Sequence, residues 1–306
     1  MDQLIQQLIN GLSVGATYAL IALGYTMVYG ILRLINFAHG EVYMVGAVSS
    51  YYLAEWSMGW THSLWVSLPI VVVGSMVTCA ILGFLIEFLA YRPLRDRPRL
   101  VVLISAIGVS LLLQNLAQFQ AIFGPTPKRF PELIQSTPVL YNAAHTIVLT
   151  NLDILSLGLS LGLMVIMTWV VLGTKTGLAL RAVSFRFDIS MLMGINTGKI
   201  ISFTFMFGSA LAAVAGTIDA IRYDVRPLMG LMPGLKAFVA AVLGGIGSIP
   251  GAVVGGLLMG LSETLVKGYL PSAYTGYADA VAFVVLIVIL LVRPTGLFGR
   301  VAPEKV

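Results

Sequence analysis

The sequence predicts an all-α polytopic membrane protein with broken, glycine-rich elements in both halves. Three observations carry that expectation. Of the 306 residues, 58% are hydrophobic and only 10% charged, with a mean hydropathy of +0.95, whereas soluble domains carry about a quarter of their residues as charges. Apolar runs long enough to cross a bilayer recur from end to end. Two of those runs are interrupted where no lipid-facing chain tolerates it, at 33–41 and around 244–251. Alternating strand patterns of barrel type are absent. The chain reads as one membrane domain, 1–306, with about eight to ten transmembrane or half-membrane helices.

The formal charge of +5 does not indicate nucleic acid, because the basic residues lie in short connections where membrane topology accounts for them. The single cysteine, Cys79, sits in an apolar run and excludes a disulfide framework or a cysteine metal cluster. Met1-Asp2-Gln3 has no basic n-region, so the first apolar segment is expected to be a retained span.

In order, Leu4–Leu32 is the first span, with a small-xxx-small pair at Gly11 and Gly15. The break follows, and Val42–Ala54 resumes. Trp56, Trp60 and Trp65, around a polar turn with His62, read as an interfacial aromatic belt. Leu64–Tyr91 spans and ends in Arg92-Pro93-Leu94-Arg95-Asp96-Arg97-Pro98-Arg99, the strongest positive-inside signal in the chain. Leu100–Phe123 spans outward. Gly124–Asn151, with four prolines, is an external loop with short structure of its own. Leu152–Gly173 returns, Thr174–Gly198 is cytoplasmic, and Ile200–Ile221 spans outward to a short loop ending near Pro233. Leu235–Gly247 and Ala252–Val266 each read as half-length helices meeting at the turn Ser248-Ile249-Pro250-Gly251. Ala278–Val292 crosses last, and Arg293, Arg300 and Lys305 close the chain on the basic side. Parity puts the N-terminus outside. Paired glycine-interrupted segments in two halves point to a substrate path, so the break at 33–41 takes the break at 244–251 as its partner.

In the first break, Asn36, His39, Gly40 and Glu41 are the candidate residues. His39 and Glu41 are two apart and do not share a helix face. His62 and His145 fall in external loops, and no H-E-x-x-H or cysteine partner exists, so no metal or catalytic set is expected. Asn36 and His39 are expected to hydrogen-bond backbone groups freed by the break. Glu87, Asp219, Lys236 and Asp279 read as packing or interfacial charges, with Lys236 snorkelling and Glu87 reaching the interface. Glu263 lies deeper and has no evident neighbour. The glycines at Gly244, Gly245 and Gly247, with Gly251/Gly255 and Gly256/Gly260 beyond, lack the Lys-Ser/Thr that a phosphate loop needs. They suit close helix approach instead. Residues 174–199 carry Leu178, Leu180, Ile189, Leu192 and Met193, which suit either an amphipathic pair docking on a soluble partner or a helix on the bilayer surface.

Tyr29-Gly30-Ile31-Leu32-Arg33-Leu34-Ile35-Asn36-Phe37-Ala38-His39-Gly40-Glu41 resembles the N-terminal signature of branched-chain amino acid ABC transporter permeases of the LivH type. Gly234 to Ala252, reading Gly-Leu-Lys-Ala-Phe-Val-Ala-Ala-Val-Leu-Gly-Gly-Ile-Gly-Ser-Ile-Pro-Gly-Ala, is similar to a second signature, and Arg293-Pro294-Thr295-Gly296-Leu297-Phe298-Gly299 to the family's ending. The resemblance covers essentially the whole chain. It implies a non-enzymatic permease subunit without cofactor, in a bacterial inner membrane. Its implied partners are a second, LivM-like permease, two cytoplasmic ATP-binding subunits and a periplasmic solute-binding protein. It implies that 174–199 is the ATPase-coupling segment, with Arg181, Ala182, Asp188, Leu192 and Gly194 as its candidate residues. Ser184-Phe185-Arg186-Phe187-Asp188 departs from the polar, acidic run expected there. Leucine, isoleucine and valine are the expected solutes, translocated by alternating access. Urea or a short amide is the alternative within the family. An ion-coupled carrier or channel is the alternative of another class, and it would need a clustered carboxylate relay.

Overall fold

The computed structural model describes residues 2–61, 63–95, 97–142, 146–271 and 276–299, with the side chains of 281 and 282 left aside. His62, His145, Arg300 and Lys305 lie outside the described residues. Eleven α-helices are described: α1 (Asp2–Leu32), α2 (His39–Met58), α3 (Leu64–Ile86), α4 (Arg99–Gln118), α5 (Asn151–Gly173), α6 (Lys175–Phe185), α7 (Phe187–Leu192), α8 (Thr197–Arg222), α9 (Leu231–Gly244), α10 (Ile249–Tyr269) and α11 (Ala278–Val292). Six helical stretches are long and apolar enough to cross a membrane: 2–32, 64–94, 99–118, 151–173, 197–222 and 249–269. With α2, α9 and α11 the described set falls in the expected range, and the protein is a multi-pass membrane protein.

The apolar residues of α1 and α8 are mostly buried and form the centre, whereas α3, α4 and α5 present most of theirs outward. Small residues decide how the centre closes. Gly15 and Gly260 approach so closely that a Cβ on Gly260 would overlap the Gly15 backbone, and Gly256 lies against Ala19. The glycine pair of α1 therefore meets the second pair of α10, and α1 lies along α10. The first pair of α10 faces α9 instead, Gly251 against Gly244 and Gly255 against Ala240. Without a hydrophobic driving force between helices in lipid, this close backbone contact supplies much of the association energy.

The basic loops at 92–99 and 174–199 lie at one end of the bundle. There Ser184 of α6 donates to the Gly30 carbonyl, and the Arg92 side chain approaches Gly198. At the far end Asp2 accepts from Asn142 and Thr146, and Gln3 donates to the Gly268 carbonyl. The N-terminus thus lies opposite the basic loops, as parity requires. The far loop carries a short antiparallel hairpin, β1 (Pro138–Tyr141) with β2 (Val148–Thr150). Thr150 then caps α5 through a reciprocal pair with Asp153.

Four expectations change. The segment after the turn is not a half-helix: α10 has 21 residues. Ser248 accepts from the Gly251 amide and Pro250 occupies the first turn, so the turn signal is the start of a full helix. Glu263 is not solitary, because Lys236, Lys267 and Tyr18 all donate to it, at 2.8, 2.6 and 2.7 Å. For the same reason Lys236 does not snorkel; it is buried between Glu263 and Asp279. Glu87 is also buried rather than interfacial, held by Arg95 and by Ser202. It opens a five-residue π turn, Glu87–Tyr91, at the end of α3.

Candidate functional site

The α1–α2 connection turns back into the bundle. Arg33 adopts a left-handed conformation, φ +52°, its amide bonded to the Tyr29 carbonyl, and the chain then runs inward to start α2 at His39. There the His39 ring rests against Gly24, more than two turns before the end of α1. A helix that starts among other helices needs local partners for its first amides. Asn36 supplies one: its Oδ1 accepts from the Ala38 amide at 3.1 Å and from the Tyr91 hydroxyl at 3.0 Å. This is the backbone role expected of Asn36.

His39 does not share it. Its ring fills the slot left by Gly24, edge-on to Tyr25 at 4.7 Å between centroids, and Nε2 has no hydrogen-bond partner. Its backbone partner is Ile21, inside α1 rather than in the break, so the imidazole serves packing rather than the freed backbone.

Gly40 touches the start of α9. A Cβ on Gly40 would stand 2.7 Å from the Gly230 carbonyl oxygen and 3.0 Å from the Gly234 Cα. Only two backbones without side chains fit there. Glu41 follows, 1% exposed. Its Oε1 accepts from Gln114 at 2.7 Å and from Ser110 at 3.5 Å, both on α4, and its Oε2 has no partner.

The second break has a different character. Gly245 and Gly247 take φ of +100° and +94°, values that favour glycine. The last carbonyls of α9 are satisfied by the C-terminal segment: Leu297 and Phe298 donate their amides to Leu243 and Gly244, at 2.9 and 3.0 Å. The two breaks therefore do not meet. The first contacts Gly230 and Gly234, and the second lies at the other end of α9, about 15 Å on at 1.5 Å per residue.

Between 174 and 199, Arg186 separates α6 from α7 in extended conformation. Gly194, φ +80°, ends α7: its amide bonds Met191 and the next amide, of Ile195, bonds Ser190, the Schellman pattern. Leu180 and Val183 face the core, while Leu178, Phe185, Ile189, Leu192 and Met193 are exposed. Arg181 and Asp188 are exposed beside them, and Ala182 is half-buried. At the far end a cavity of about 740 Å³ opens among Arg129, Glu132, Asp153, Arg222 and Arg226. Among the described residues, no three His, Cys, Asp or Glu side chains converge as a metal site.

Sequence reasoning missed Gly230, Gly234, Ser110, Gln114 and Tyr91. Gly230 and Gly234 carry the four-residue spacing of close-packing glycines, and Ser110 and Gln114 form a polar pair, also four apart, on an otherwise apolar span. Those spacings were the available signals.

Residues 7–290 match the family described as "Branched-chain amino acid transport system / permease component". The chain belongs to that family. Among relatives of this permease, the high-affinity branched-chain amino acid transport system permease protein LivH of Escherichia coli K12 is 43% identical over 99% of this chain and 97% of its own. BraD of Pseudomonas aeruginosa, with the same description, is 43% identical over 99% and 98%. A LivH described as probable, from Methanocaldococcus jannaschii, is 30% identical over 92% and 88%. As a permease component, the chain is not itself an enzyme and works with other components of a transport system.

Proposed function

We propose that this chain is one permease subunit of an ATP-powered importer for leucine, isoleucine and valine in a bacterial inner membrane. Near-full-length identity of 43% to permeases described as branched-chain amino acid systems carries the substrate reading. Its partners in this reading are a second, LivM-like permease, two ATP-binding subunits and a periplasmic binding protein. The ATP-binding subunits dock on α6 and α7, where Phe185, Leu192 and Met193 stand exposed between Arg181 and Gly194. An amphipathic helix pair offering apolar anchors suits a protein groove. The binding protein docks at the far end, over the polar cavity.

The path runs past Asn36, His39, Gly40 and Glu41. Alternating access comes from parting and rejoining the Gly40–Gly230 contact, while the break at Gly244, Gly245 and Gly247, tied to the C-terminal segment, gives α9 a fixed base. Uptake of labelled leucine and labelled urea into vesicles, with and without the ATP-binding subunits and the binding protein, tests this reading. It predicts leucine uptake that needs ATP and both partners. Uptake driven by an ion gradient without the ATP-binding subunits, or uptake of urea in place of leucine, would contradict it.

A further inference from the structure

Among the described residues four carboxylates are buried, and three have a cation. Glu87 pairs with Arg95, Asp153 with Arg222, and Glu263 with Lys236 and Lys267. Glu41 has none. Asp219, only half-buried near the far end of α8, is held by the Tyr43 hydroxyl at 2.5 Å and lies three residues from Arg222. A carboxylate buried without a counter-charge costs several kcal/mol, and in a membrane protein such a residue marks a solute or ion path.

The surroundings of Glu41 are shaped for an incoming donor. Gln114 and Ser110 both serve Oε1 and fix the carboxylate plane. Oε2 is left with no hydrogen-bond partner. The residue in front of Oε2 is Gly230, where a Cβ would stand 2.9 Å from that oxygen. The Gly40–Gly230 contact closes over it in this conformation.

We propose that Glu41, positioned by Gln114 and Ser110, is the acceptor for the α-ammonium group of the transported amino acid. The ammonium approaches Oε2 when the starts of α2 and α9 part. It supplies the missing counter-charge through an N⁺–H···O⁻ hydrogen bond, the stronger charge-assisted kind. The solute's apolar side chain then needs only the apolar walls of the path. A neutral solute such as urea gains no ion pair at Oε2. The proposal rests on the reading above that the solute is an amino acid passing the break at 33–41.

Glutamine and aspartate at this position separate charge from volume. Glu41→Gln keeps the shape and removes the charge, whereas Glu41→Asp keeps the charge and shortens the side chain. The complete transporter is reconstituted in proteoliposomes with ATP and its leucine-binding protein, and leucine uptake is expressed per assembled complex. Glu41→Gln is expected to lose uptake at least about tenfold, the worth of one charged hydrogen bond, while Glu41→Asp retains clearly more. Glu41→Gln equal to or better than Glu41→Asp in uptake per assembled complex overturns the proposal, because packing alone favours the isostere. Absence of leucine uptake by the unsubstituted transporter would instead overturn the functional reading.

Discussion

The two helix breaks of this protein solve the same problem with different materials. At 245–248 the freed backbone groups are met by backbone and by one serine: Leu297 and Phe298 cap α9, and Ser248 caps α10. No charged side chain takes part. At 33–38 backbone bonds such as Arg33 to Tyr29 are joined by side chains, Asn36 accepting from the Ala38 amide and Tyr91 holding Asn36, and polar atoms are left over, His39 Nε2 and Glu41 Oε2. A fully satisfied break is a joint. A break with unmet polar atoms, closed only by two glycine backbones, is a place where something else can bind. The difference separates a static element from a working one before any solute is considered.

The largest effect should come from filling the glycine contact. Gly230→Val would drive a side chain into the Gly40 backbone and against Glu41, and overpacking at backbone level costs about 3 kcal/mol or more. Leucine uptake should fall to background, measured in vesicles beside a leucine-binding control. Uptake within twofold of normal would mean that α2 and α9 do not meet as described.

Next comes the joint. Phe298→Pro removes the amide that meets the Gly244 carbonyl, and an unmet buried carbonyl costs about 1–3 kcal/mol. A lower melting temperature of the purified complex is expected, with uptake per surviving complex close to normal. A change in solute preference with unchanged stability would reverse the roles of the two breaks.

The proposed coupling segment, 174–199, bears on whether motion reaches the first break. Gly194→Trp puts a bulky side chain at φ +80° among the exposed apolar residues. ATP hydrolysis should persist while leucine uptake drops several-fold, read as leucine taken up per ATP consumed. An unchanged ratio would remove Gly194 from the coupling assignment.

The smallest effect belongs to Tyr91→Phe, which deletes one hydrogen bond to Asn36. About 1 kcal/mol of stability should be lost, seen as a small fall in melting temperature, since the Ala38 amide still holds Asn36.

What the sequence made legible follows from local physics. The spans at Leu4–Leu32, Leu64–Tyr91, Leu152–Gly173, Ile200–Ile221 and Ala278–Val292 come within three residues of the observed stretches, because apolar length against bilayer thickness decides them. The paired helices α6 and α7 follow from apolar residues in a polar setting. Two partners of Glu263 were illegible, Lys236 at 27 residues and Tyr18 at 245, whereas Lys267, four residues on along the same helix, carried a readable spacing. Glu41 and Gln114 are 73 apart. Such pairs depend on which helices pack and in what register, and that is set by glycine contacts such as Gly15 with Gly260, which composition does not reveal. The full length of α10 was misread because a proline and glycines look like a stop from outside a helix and like a start from within its first turn.

The most direct measurement sets the two breaks side by side: leucine uptake per assembled complex for Glu41→Gln and for Phe298→Pro, in the same proteoliposomes. Uptake per complex should collapse in the first and stay near normal in the second, which loses only thermal stability. Normal uptake in Glu41→Gln together with collapsed uptake in Phe298→Pro would contradict the division of labour between the two breaks.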